Sequence, residues 1–119
     1  MIYGKLNSLA PFATQESWDN SGLLVGDPGA EVKTALVVLD ITAEAVREAR
    51  EIGAELIISH HPVIFHPLKK VESGSVVWEL AQAGISAICA HTNLDKARGG
   101  VNDCLAAALG LEHVTNYAV

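Results

Sequence analysis

Two short runs hold side chains able to bind a first-row transition metal. In Ile57-Ile58-Ser59-His60-His61-Pro62 an apolar stretch stops at two adjacent histidines, and the proline fixes the chain's exit. In Ile88-Cys89-Ala90-His91-Thr92-Asn93-Leu94-Asp95 a second apolar stretch ends in His, Asn and Asp. Imidazole and carboxylate are borderline-to-hard ligands, a set that suits Zn, Fe, Mn or Ni. The pattern predicts a metal site with His60, His61 and Asp95 as ligands, and two neighbouring imidazoles predict a dinuclear one. The competing reading of His60 and His61 is a strand-end pair bonded to nearby backbone, and that of Asp95 is a turn or helix cap. Adjacent strand residues point to opposite faces, so both rings reach one site only if the backbone twists where the strand ends. His91 is either a ligand or a donor that orients Asp95 or a bound water. It is also the one good candidate for a general acid or base.

The elements that must position these residues follow from hydrophobic periodicity. Residues 2–9 read as a short amphipathic helix with Ile2, Leu6 and Leu9 on one face, stopped by Pro11. Residues 34–39 are a continuous apolar run, as in a strand buried on both faces. Thr42 N-caps a helix with Ala45, Val46, Ala49 and Ile52 on its inner side, closed by Gly53. Strands over 55–59 and 85–90 flank a helix over 75–83 with Val76, Val77, Leu80 and Ala81 inward, and Gly99-Gly100 opens a last helix through Leu109. This β-α-β-α-β-α order predicts one α/β domain over residues 1–119, a mainly parallel sheet with helices on both faces. Asp40, His60, His61, His91 and Asp95 then all fall at the carboxyl ends of three strands, where open parallel sheets build their sites. Asp40 is read as a cap or turn residue, with support of a ligand as the alternative. Trp18-Asp19-Asn20-Ser21-Gly22 reads as a structured turn leading into a strand and carries no chemistry alone. His66 reads as a packed or exposed ring, the Lys69-Lys70 pair as solvated, with contact to an anionic substrate as the alternative, and His113 receives no role.

Composition limits the partners. Half the residues are hydrophobic and 18% are charged, which describes a chain with a core and not a disordered one. A net charge of −6 without a basic cluster argues against nucleic acid as the main partner. Charges interrupt every apolar stretch short of a membrane span, and no signal-peptide pattern opens the chain. Cys89 and Cys104 sit in apolar contexts without metal or redox spacing and read as buried thiols of a reducing compartment, so a cytoplasmic protein is expected.

Several motifs occur together in a familiar order. They are Trp18-Asp19-Asn20-x-Gly22-Leu23, Asp40-x-Thr42, Ser59-His60-His61-Pro62 with Phe65 after it, and His91-Thr92-Asn93-x-Asp95 with Gly99-Gly100-Val101-Asn102-Asp103. In these the chain resembles the NIF-three-like family, whose members are often labelled GTP cyclohydrolase I type 2 homologues. The resemblance implies an α/β scaffold with a dinuclear divalent-metal site, often assembled as a toroidal hexamer. It implies that His60 and His61 each ligate one metal and that Asp95 joins the metal of His61. The family's further ligands come from a His-x-x-x-Glu helix near its C-terminus, which these 119 residues do not contain. The chain therefore resembles the N-terminal half of a family member and is expected to carry part of the centre. Metal-dependent hydrolysis is the implied chemistry. The rival expectation is a non-catalytic metal-binding or regulatory scaffold acting through assembly and protein partners.

Overall fold

Apolar strands and capped helices alternate in the computed structural model, which describes residues 1–115. Helix α1 (Ile2–Leu9) leads through a 3-10 turn (Phe12–Thr14) to β1 (Gly22–Val25) and β2 (Ala35–Val38). Helix α2 (Ala43–Glu51) connects β2 to β3 (Leu56–Ser59), and α3 (Val76–Ala83) connects β3 to β4 (Ser86–Cys89). Helices α4 (Thr92–Lys96) and α5 (Val101–Ala108) follow. The strands form one sheet in the order β1-β4-β3-β2, with β2, β3 and β4 parallel and β1 antiparallel to β4.

Local chemistry sets the helix limits. Thr42 accepts the amide of Ala45 at 3.2 Å, Glu44 lies at the positive end of α2, and Arg50 lies at its negative end. Ser75 caps α3 in the same way, and Gly84 ends it with a left-handed φ of 67°. The central strands β3 and β4 are apolar because both of their faces are covered. On one face α2 and α3 lie side by side, and Ile41, Val46, Ala49, Ile57, Leu80 and Ala87 share a core. On the other face α1 and the 3-10 turn bring Ile2, Leu6 and Phe12 onto Leu56, Ile88 and Ala90. The fold is thus mixed α/β with a mostly parallel sheet and helices on both faces.

Four sequence expectations change. Strand β2 is not buried on both faces: it is an edge strand, with Val37 72% exposed and Leu39 61% exposed. An apolar run cannot by itself reveal which strand will lie at the edge. Leu9, Ile52 and Ala81 point to solvent, since each lies at or near a helix end where the core no longer faces it. Cys104 is exposed on α5, whereas Cys89 is buried at the end of β4. Residues 92–96 form a short helix of their own before the Gly99-Gly100 pair. Gly100 permits that junction: a Cβ there would lie 1.9 Å from the carbonyl oxygen of Leu94.

Candidate metal centre

At the carboxyl edge of the sheet, β3 ends at Ser59, and the next two amides still bond toward β2, His60 N–H to the carbonyl of Val38 at 3.3 Å and His61 N–H to the carbonyl of Leu39 at 3.0 Å. Ser59 Oγ donates to the carbonyl of His61 at 2.8 Å, and the Cys89 thiol donates to the carbonyl of His60 at 3.0 Å. These two bonds fix the backbone of the adjacent histidines, whose rings lie close together. Their ring centroids are 5.2 Å apart. His91, directly after β4, brings a third ring 5.2 Å from His60 and 5.6 Å from His61. One ring nitrogen from each of the three histidines lies within 4.8 Å of the others.

Each imidazole is fixed through Nδ1. His60 Nδ1 lies 2.9 Å from the carbonyl of Ala90, His61 Nδ1 lies 2.7 Å from Asp40 Oδ1, and His91 Nδ1 lies 2.9 Å from Asp19 Oδ1. A carbonyl or carboxylate oxygen only accepts, so in each pair the ring donates Nδ1–H and Nε2 is left with the lone pair. This oxygen–imidazole arrangement fixes the tautomer and raises ligand basicity at metal sites. Asp95 completes the group, with Oδ1 3.2 Å from His60 Nε2. A lone-pair nitrogen and a carboxylate oxygen at that distance repel unless a proton or a cation joins them. The donor set, three imidazoles and a carboxylate, fits a divalent transition metal.

Asp95 stands on α4, which is tied to the rest of the fold. Asn93 is buried and donates Nδ2–H to the carbonyl of Ala10 at 2.8 Å. The hydroxyl of Thr92 accepts the amide of Glu16 at 2.9 Å, and Lys96 pairs with Glu16 at 2.6 Å.

Asp19 is the residue that reading the sequence as a turn missed. Its side chain is fully buried. Oδ1 accepts from His91 Nδ1 and from the amide of Asn20, and Oδ2 accepts from the amide and hydroxyl of Thr92. Burial raises its pKa, but the bonds from Thr92, His91 and the Thr92 and Asn20 amides outweigh burial and hold the carboxyl well below its ordinary range. The same group pins the Asp19–Gly22 turn to the start of α4, because Ser21 Oγ accepts the amide of His91 at 3.1 Å. The 72 residues between Asp19 and His91 hide this pair from any local pattern. A carboxylate inside a Trp-Asp-Asn-Ser-Gly turn is the one signal that could have raised it.

The structure therefore gathers His60, His61, His91 and Asp95, with Asp40 behind His61 and not merely capping a turn. Asp95 stands against His60, whose Nδ1 is held by the carbonyl of Ala90, two residues before α4 begins at Thr92. His66 stays outside and packs its ring on Phe65 with centroids 4.8 Å apart. His113 is not part of the cluster, and Lys70 pairs with Glu72 at 2.6 Å. Cys89 is no ligand: burial first, and the Asp19 charge second, push its thiol up to about 12. No helix among the described residues is long and apolar enough to cross a membrane.

Comparison with known proteins gives a consistent outcome. A protein of Staphylococcus aureus (strain COL) named GTP cyclohydrolase 1 type 2 homolog is 46% identical over 113 residues, covering 92% of this chain and 31% of its own length. The chain thus spans about a third of that relative. A Bacillus cereus protein described as related to NIF3 superposes with a TM-score of 0.88 at 40% identity, covering 94% of this chain and 32% of that one. Reduced HcgD from Methanocaldococcus jannaschii does so with a TM-score of 0.86 at 31% identity, covering 94% and 46%. The profile of one family matches residues 1–119 throughout, and the chain belongs to that family, Duf34/NIF3 (NGG1p interacting factor 3).

Proposed function

We propose that the chain carries part of a dinuclear divalent-metal centre serving metal-dependent hydrolysis, with His60, His61 and Asp95 as ligands. One observation carries the reading: three imidazoles, each held at Nδ1 by an oxygen acceptor, bring one ring nitrogen apiece within 4.8 Å of the others, and the Asp95 carboxylate stands 3.2 Å from His60 Nε2. Up to two ions of Zn, Fe, Mn or Ni suit these donors. When bound, a divalent ion at such a site polarises a substrate oxygen and acidifies a water, which suits hydrolysis of a carbon–nitrogen or phosphoester bond.

The chain's own residues supply the rest. His60 and His61 present fixed lone pairs because Ala90 and Asp40 hold their tautomers. His91, backed by the buried Asp19 carboxylate, has the geometry of a base: its Nδ1–H is engaged, and Nε2 is free to take a proton. Asp19 offsets the positive charge that His91 acquires on doing so. The relatives' label suggests ring opening of a guanine nucleotide, a substrate that falls within this reaction class. The assembly is a homo-oligomer, a hexamer by family likeness, and the protein works in the cytoplasm, where Cys89 and Cys104 stay reduced.

The test compares metal-loaded wild type with His91→Ala in a hydrolysis screen over nucleotides and phosphoesters. Activity lost at unchanged metal content makes His91 the proton-transfer group, whereas a lost metal equivalent makes it a ligand. The second reading, a non-catalytic metal-binding scaffold acting through partners, is favoured by the edge strand β2, where Val37, and Leu39 just after the strand, face outward. Metal bound at full occupancy with no turnover across the screen would select it.

A further inference from the structure

Beside the histidine cluster stand two large rings that the fold leaves in water. Trp18 is 60% exposed and Phe65 is 41% exposed. Their centroids are 6.2 Å apart at 62°, and Trp18 stands 6.5 Å from the His91 ring at 77°. Neither ring hangs on a loose loop. Trp18 directly precedes Asp19, whose carboxylate is buried and fully bonded, and the amide of Asp19 donates to the carbonyl of Glu16 at 3.0 Å. Asn20 Nδ2 donates to the carbonyl of Ile64 at 2.7 Å, fastening the Trp18 turn to the Phe65 loop. The same turn that orients His91 thus presents an aromatic edge at the cluster's mouth.

We propose that Trp18, flanked by Phe65, is a stacking shelf that holds a planar heteroaromatic ring of the substrate against the histidine–aspartate cluster. The proposal rests on the hydrolytic metal-centre reading and names the substrate class for it. A heteroaromatic ring meets both demands of this place: its π-face covers the exposed indole, and its rim nitrogens or carbonyls meet the polar groups of His60, His91 and Asp95. An apolar partner seated on Trp18 would cover those polar groups without partners, which is unfavourable. Stacking of a base on an aromatic side chain is tolerant of ring identity, so the shelf selects for ring against no ring more than for one base over another.

The experiment measures binding of guanosine monophosphate and of ribose 5-phosphate to the zinc-loaded full chain by calorimetry. The two probes share sugar and phosphate and differ by the ring. The wild type is expected to bind the nucleotide about tenfold or more tightly than the sugar phosphate, a factor in the range of one base–aromatic stack. Trp18→Ala should bring that ratio close to one, and Trp18→Phe should keep most of it, with metal content unchanged in both. A wild-type ratio near one, or a ratio that survives Trp18→Ala, overturns the shelf. So does a Trp18→Ala protein whose oligomeric state alone changes, which would assign Trp18 to a subunit contact. Should the chain take up no zinc, the same ratio read on metal-free protein still tests the shelf, so failure of the metal reading is told apart from failure of the proposal.

Discussion

Asp19→Asn probes how the buried carboxylate holds the site. The change is nearly isosteric, yet the carboxylate accepts at both oxygens: His91 Nδ1 at 2.9 Å and the Asn20 amide at 2.7 Å on one, the Thr92 amide at 3.0 Å and the hydroxyls of Thr92 and Ser21 on the other. An asparagine keeps one oxygen and turns the other into an NH2 group. In either orientation a backbone N–H, that of Asn20 or of Thr92, faces a donor. An unsatisfied buried donor costs about 1–3 kcal/mol, and loss of charge assistance to the remaining bonds costs about 1 kcal/mol more. The expected loss is about 2–4 kcal/mol, a fall in Tm of roughly 8–16 °C for a domain of this size. Metal affinity should fall about 10–100-fold as the start of α4 loosens beneath the ligand Asp95. The pH dependence has a definite sign. The folded carboxyl titrates below its ordinary value of 3.8, so its contribution is complete above that value and is lost as pH falls through the lower folded pKa. The variant should therefore show a shallower loss of stability below that pH than wild type. Thermal unfolding by circular dichroism between pH 2 and 8, with metal titration at neutral pH, reads all three effects. A variant within about 1 °C of wild type, with equal metal affinity, would refute this role for Asp19.

The other predictions separate site from scaffold. Asp40→Asn weakens the acceptor of His61 Nδ1 on a side chain 55% exposed, so metal affinity should fall about tenfold while Tm moves by no more than roughly 2 °C. Ellman's reagent should label Cys104 quickly in the native chain and Cys89 only after denaturation, because burial keeps Cys89 protonated; two fast thiols in the native chain would contradict its place under His60. Leu80→Ala, at a fully buried position between α3 and the sheet, should cost about 2–5 kcal/mol in urea unfolding, with a smaller loss contradicting the assigned core.

Sequence periodicity carried most of the scaffold. The strands over 55–59 and 85–90 and the helices capped by Thr42 and Ser75 lie where alternating apolar runs, caps and glycines put them, because burial and end chemistry are local signals. His60, His61, His91 and Asp95 were legible as a group for the same reason: each closes or follows a strand, and parallel strands bring their carboxyl ends together. What escaped notice depends on distant partners. Asp19 meets His91 only after β1 pairs antiparallel with β4, and the one local signal, a carboxylate inside a Trp-Asp-Asn-Ser-Gly turn, does not name that partner. The exposure of Val37 and Leu39 follows from the place of β2 at the sheet edge, a property of strand order and not of strand composition. The partnership of Asp95 with His60 depends on α4, a five-residue helix too short for a periodic signal.

The most direct test of the metal centre is the metal content of the chain, by inductively coupled plasma mass spectrometry on protein purified without chelator or histidine tag. The geometry of His60, His61, His91 and Asp95 predicts roughly one to two equivalents of a first-row divalent metal in wild type and close to none in the His60→Ala, His61→Ala double variant, with the variant still folded. A metal-free wild type, or a double variant that keeps its metal, would contradict the assignment.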